Sequence, residues 1–174
     1  LANGAEKNMT INGKRKLIEF EKTLPLPTYL FSFAAGDFLV ESHRGEKYRM
    51  RFFHRETDTL KVRRNREELF RLHEQALAWL EEYTGISYPF EKFDFVLIPS
   101  FQYGGMEHPG AILYRDSRLL LEDDPGLGEK LERANLISHE TSHMWFGDLV
   151  TMKWFDDVWL KEVFAGFMAD KIVN

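Results

Sequence analysis

Apolar and polar residues alternate through Lys16-Leu17-Ile18-Glu19-Phe20-Glu21 and again through Lys47-Tyr48-Arg49-Met50-Arg51-Phe52. A period of two puts successive side chains on opposite faces, so both runs predict strands. Between them, Tyr29-Leu30-Phe31-Ser32-Phe33-Ala34-Ala35 is more continuously apolar and predicts a buried strand. Asn12-Gly13 and Arg44-Gly45 carry turn signals. The period then changes. Leu69, Leu72, Ala76, Trp79, Leu80 and Tyr83 share one face at helical spacing and read as core. Asn65 with Glu68 three residues later has the pattern of a capping box, and Gly85 is a natural stop. Phe93 to Ile98 predicts a buried strand. A polar loop around Asp123-Asp124-Pro125-Gly126 leads into a helix over 129–146, broken by Gly147. A further helix follows Trp154 to Asp157, with Asp156 or Asp157 placed as its cap.

Composition adds little to this picture and removes some function classes. The 174 residues are 44% hydrophobic and 29% charged, enough for one full core or a small domain plus part of another. A formal net charge of −5 gives no support to nucleic acid as a partner. The cluster Lys61-Val62-Arg63-Arg64-Asn65-Arg66 has no aromatic interleaving and reads as a solvated helix face. With no cysteine, disulfides are excluded and the redox compartment stays open. No apolar run approaches the roughly 18 residues that span a bilayer, and no signal-peptide pattern opens the chain, so the reading is a soluble segment of unassigned compartment. Leu1 in place of Met, and an end 12 residues past Glu162, lead us to expect a segment of a longer protein.

The candidate chemistry lies in Ile137-Ser138-His139-Glu140-Thr141-Ser142-His143-Met144-Trp145, with 18 residues between His143 and Glu162. Positions i and i+4 of a helix share a face, so two imidazoles there grip one metal ion. A carboxylate from a second helix supplies a third ligand. Three protein ligands with one open position describe a catalytic zinc site, whereas structural sites are closed. Glu140 is rotated away from the ligand pair but stays beside the metal, where it acts as general base toward a metal-activated water. The expected cofactor is therefore one Zn²⁺ per molecule, held by His139, His143 and Glu162. His43, His54 and His73 have no partner spacing and read as structural or surface residues. Gly104-Gly105 bares a stretch of backbone to which a substrate strand could pair, with Glu107 as a carboxylate for a free α-ammonium. A tight turn with an exposed Glu fits those residues equally well.

The longer stretches His139 to Thr151, Trp159-Leu160-Lys161-Glu162-Val163-Phe164-Ala165 and Gly104-Gly105-Met106-Glu107-His108 closely resemble the aminopeptidase N type of zinc metallopeptidase, a gluzincin family that includes leukotriene A4 hydrolase. Thr28-Tyr29-Leu30 and Gly36-Asp37-Phe38 resemble the family's approach to its catalytic domain. The resemblance implies an α+β fold: residues 1–45 as the tail of an N-terminal β domain, and 46–174 as the N-terminal portion of a thermolysin-like peptidase domain. It also implies hydrolysis of the N-terminal peptide bond, with Gly104, Gly105, Met106, Glu107 and His108 binding substrate. Partners would be peptides with a free amino terminus and the remaining domains of the full-length chain.

Three positions depart from the family pattern. His108 and Lys161 each stand where Asn is usual, and Val163 where Gly is usual. None removes a ligand, the base or Glu107. The family's oxyanion-stabilising tyrosine has no match here, so the 174 residues alone are expected to be inactive. Rival readings are an epoxide-hydrolysing relative with the same metal site and a non-catalytic zinc- or peptide-binding module.

Overall fold

The computed structural model describes residues 1–174, which form an α+β fold. β1 (Glu6–Asn12) and β2 (Arg15–Phe20) make an antiparallel hairpin. Its turn uses Gly13 at φ 60°, where a side chain would be strained. Neither strand buries a residue. Asn3 ties the base of the hairpin to the rest of the protein: its Nδ2 donates to the carbonyls of Leu30 and Pro109, both at 3.0 Å, and its Oδ1 accepts from Ser32 N–H at 2.8 Å.

The buried strand expected over Tyr29–Ala35 does not form. Thr28–Leu30 is a single 3-10 turn with Leu30 buried, while Phe31 and Phe33 are 69% and 68% exposed. Apolar content without a period does not distinguish an inward run from an exposed one.

The main sheet has the order β3-β4-β5-β7-β6. β3 (Leu39–Arg44) and β4 (Arg49–His54) are an antiparallel hairpin, and residue 45 falls in its turn. β5 (Phe93–Ile98) runs parallel to β4, and β7 (Ile112–Arg115) parallel to β5. β6 (Gly105–Met106) pairs antiparallel with β7 at the sheet edge.

α1 (Thr59–Thr84) joins β4 to β5. It starts well before the expected cap at Asn65, because Asp58 Oδ1 accepts from the N–H groups of Leu60 and Lys61 at 2.9 and 3.1 Å. Asn65 sits inside the running helix and crosslinks it, donating to Lys61 and Leu121 carbonyls and accepting from Arg133. Gly85, at φ 68°, ends the helix as expected. The helix lays Leu69, Phe70, Leu77 and Leu80 on Phe52, Phe93, Phe95 and Tyr114 of the sheet. Each fully buried large side chain contributes roughly 1.5–3 kcal/mol, so this layer anchors α1 on the central strands of the sheet. His73 is part of that packing. Its Nδ1 donates to Leu69 O at 2.7 Å, its Nε2 accepts from Tyr114 OH at 3.1 Å, and burial pushes its pKa down to about 4.

After the short α2 (Asp116–Leu119), α3 (Leu127–His143) packs on α1 and on α4 (Val158–Val173). α3 ends at His143, three residues before the expected stop. Met144 and Trp145 continue as a turn into the core, and Trp145 Nε1 donates to Ile86 O at 3.0 Å. Asp157 occupies the N-cap position of α4 without a capping side-chain bond. α4 is apolar on most faces and leaves Trp159, Val163, Phe164 and Phe167 exposed, a surface of the kind that packs against further protein. No helix is long and apolar enough to cross a membrane.

Candidate metal centre

One turn of α3 separates His139 from His143, and their Nε2 atoms lie 3.1 Å apart. Glu162, one turn into α4, places Oε2 at 3.5 Å from His139 Nε2 and 3.6 Å from His143 Nε2. Around a tetrahedral zinc with bonds near 2.05 Å, ligand atoms stand about 3.3 Å from one another. The three observed separations bracket that value, so the donor set fits zinc. His143 is fully buried, and its Nδ1 donates to Phe146 O at 3.1 Å. That bond fixes the tautomer and leaves Nε2 as a lone-pair donor to a metal. The exposed faces of His139 and Glu162 give the centre its open side.

Glu140 is 4% exposed and points toward the sheet edge. Gly105 of β6 makes room for it: a Cβ at residue 105 would overlap the Glu140 side chain, with Cγ only 2.6 Å away. Burial, with Glu107 and then Glu162 nearby, pushes the Glu140 carboxyl well above the usual carboxylate range. A groove of about 780 Å³ runs beside it, lined by Gly104, Gly105, Leu136, His139, Glu140 and Asp170. β6 is an edge strand, unpaired on one side, and Gly104 and Gly105 form part of the groove wall.

Glu107 follows β6 and is buried. One oxygen or nitrogen each of Glu107, Glu140 and His143 lie within 4.8 Å of one another. Burial favours the neutral form of Glu107, but the Lys161 ammonium bonded to it works the other way, and the carboxyl is held below its ordinary range. Lys161, the residue before Glu162, pairs with Glu107 Oε1. Both side chains are almost fully buried, and removing one partner of such a pair typically costs about 3–5 kcal/mol.

The chain thus brings together His139, Glu140, His143, Glu162, Gly104, Gly105 and Glu107. Met106 pairs with Leu113 across the edge. His108 turns elsewhere: its Nδ1 donates to Leu30 O at 3.0 Å, which makes it a satisfied histidine bracing the Thr28–Leu30 turn. Asp156 and Asp157 make no bond to His139 or His143, and Phe146 O already serves His143.

Two further residues of the site, Lys161 and Asp148, belong to no motif of the sequence. Lys161 was visible only as a departure from a pattern. Asp148 is buried with both carboxylate oxygens unpaired. Burial and then Glu107 push its carboxyl well above the usual range. Its signal was an acid directly after Gly147 at the end of a buried helix.

Residues 69–174 match the peptidase family M1 domain. The chain is 39% identical to tricorn protease-interacting factor F2 of Thermoplasma volcanium over 92% of this chain and 20% of that protein. It is 37% identical to a leucyl aminopeptidase of Saccharolobus solfataricus, over 94% of this chain and 20% of the relative. It is also 37% identical to a puromycin-sensitive aminopeptidase of Caenorhabditis elegans, over 91% of this chain and 17% of the relative. The chain spans about a fifth of the length of these relatives.

Proposed function

The chain belongs to peptidase family M1, and we propose that within the full-length protein it supplies the zinc site and the substrate-pairing edge of an aminopeptidase. Residues 1–45 would end an N-terminal β domain, and 46–174 would begin a thermolysin-like catalytic domain. The observation that carries the proposal is the convergence of His139, His143 and Glu162 at tetrahedral separations, beside Glu140 and Glu107.

Zinc held there supplies a Lewis acid that polarises a carbonyl and acidifies water. Glu140 takes the proton from the attacking water and later passes it to the departing amine. The exposed edge of β6 pairs with the substrate backbone as an added strand. Glu107 receives the α-ammonium and so confines the cut to the first residue. The epoxide-hydrolysing alternative shares the metal site, and peptide turnover decides between the two.

The test is turnover of a panel of aminoacyl fluorogenic substrates by the full-length protein, with chelator and after zinc is restored. Activity that survives complete metal removal would overturn the zinc reading. Exopeptidase logic has its own test. Free-amine peptides should be cut well and N-acetylated ones poorly, and Glu107→Ala should weaken cleavage of the free-amine set. Equal cleavage of both by the unaltered protein would make it an endopeptidase.

Gly105→Ala is expected to lower turnover by about 10²-fold, since a misplacement near 1 Å has that cost and the added methyl must displace Glu140. Zinc content should be unchanged, because the added methyl meets Glu140, which is outside the proposed ligand set. Turnover within a factor of two of the original would show that the edge yields instead of Glu140.

A further inference from the structure

Lys161 is a cation placed inside the site and given no task by the chemistry above. Its side chain is 7% exposed. The ammonium bonds Glu107 Oε1 and lies 3.3 Å from Glu162 Oε1. The ring of Tyr29 covers it, with the centroid 4.7 Å from Nζ. Gly147, at φ 142°, leaves the space that the aliphatic stem fills: a Cβ there would stand 3.3 Å from Lys161 Cδ and 3.1 Å from His143 Nδ1. The Thr28–Leu30 turn, the segment after β6 and the turn after α3 therefore shape one slot around this side chain.

We propose that Lys161 is a specificity-determining residue, whose ammonium occupies one oxygen of Glu107 and so weakens the demand for a charged amine at the first position of the substrate. The inference rests on the assignment of Glu107 as the amine anchor. A carboxylate alone in a buried site attracts a substrate ammonium with its full charge. Here the ammonium must share Glu107 with a second cation a few ångströms away, and the two repel each other in a poorly screened environment. Hydrogen bonding through the second oxygen, Oε2, is untouched. Chains that begin with an uncharged donor, such as an α-hydroxyl in place of the ammonium, therefore lose little.

The experiment measures binding, by calorimetry, of leucinamide and its isosteric hydroxyl analogue 2-hydroxy-4-methylpentanamide. The protein is the zinc-loaded full-length chain carrying Glu140→Gln, so that nothing is turned over. In that background the amine should be preferred only modestly. Adding Lys161→Gln or Lys161→Met should raise the amine-to-hydroxyl affinity ratio by at least about tenfold, because the repelling charge is gone. Lys161→Arg should restore the original ratio. Two variants that remove the charge are made so that a folding failure of one leaves the ratio measurable.

A purely structural lysine would shift both affinities together, and an unmoved ratio overturns the proposal. If Glu107→Ala erases a preference that Lys161→Gln leaves unmoved, the inference about Lys161 fails while the anchor stands. If Glu107→Ala changes no preference in any background, the anchor assignment itself fails.

Discussion

Glu140→Gln is expected to keep one zinc per full-length molecule and to lower kcat by about 10²–10⁴-fold, the usual cost of removing a general base. The side chain follows His139 by one residue, so the helix turns it about 100° from that imidazole and toward the sheet edge. There it is enclosed, with Gly105 leaving only the space its carboxyl occupies. Burial, and after it the carboxylate of Glu107, raise its affinity for a proton. Glutamine has the same shape and preserves that packing, but it has no basic oxygen. KM should therefore change little while kcat collapses. Metal content and turnover are read on the same sample. A near-normal kcat with zinc bound would show that another group activates water, and the buried, unpaired Asp148 would be the next variant to make.

His143→Ala is expected to release the metal, lowering zinc affinity by well over the 10–100-fold that follows from losing a supporting hydrogen bond alone. Three protein ligands fall to two. The loss also empties a fully buried volume and strips Phe146 O of its donor. Stability should fall with it, so His139→Ala is the cleaner companion: that side chain is a quarter exposed and can be removed with less disturbance. Both variants should read near zero zinc after dialysis against a weak chelator. Full occupancy in either would remove that histidine from the ligand set.

Helical chemistry was the most legible part of this chain. An i, i+4 pair needs only a helix to be brought together, and the helix needs only its apolar face. The same is true of Gly85 and Gly13, where the backbone conformation admits little else. Local patterns failed where a stronger signal lay nearby or where direction mattered. Asn65 looked like a cap because the pattern is short-ranged, but Asp58 starts the helix earlier and leaves Asn65 to bond Leu121 and Arg133, more than fifty residues away. Tyr29–Ala35 looked like a buried strand because aromatic content does not say which way rings point. The pairing of Lys161 with Glu107 joins residues 54 apart, and only the packing of α4 beside the sheet edge reveals it.

The closeness of Glu107, Glu140 and His143, all offering atoms within 4.8 Å, turns the site into a ruler. Within one residue the amine nitrogen and the carbonyl carbon are about 2.5 Å apart, while the next carbonyl lies roughly 3.6 Å further along an extended chain. Under the proposed reading, a peptide held by its amino end reaches the metal with its first carbonyl and overshoots with its second. Such a site counts to one. A peptide would be shortened in unit steps, each cut exposing a fresh amino terminus to be measured again.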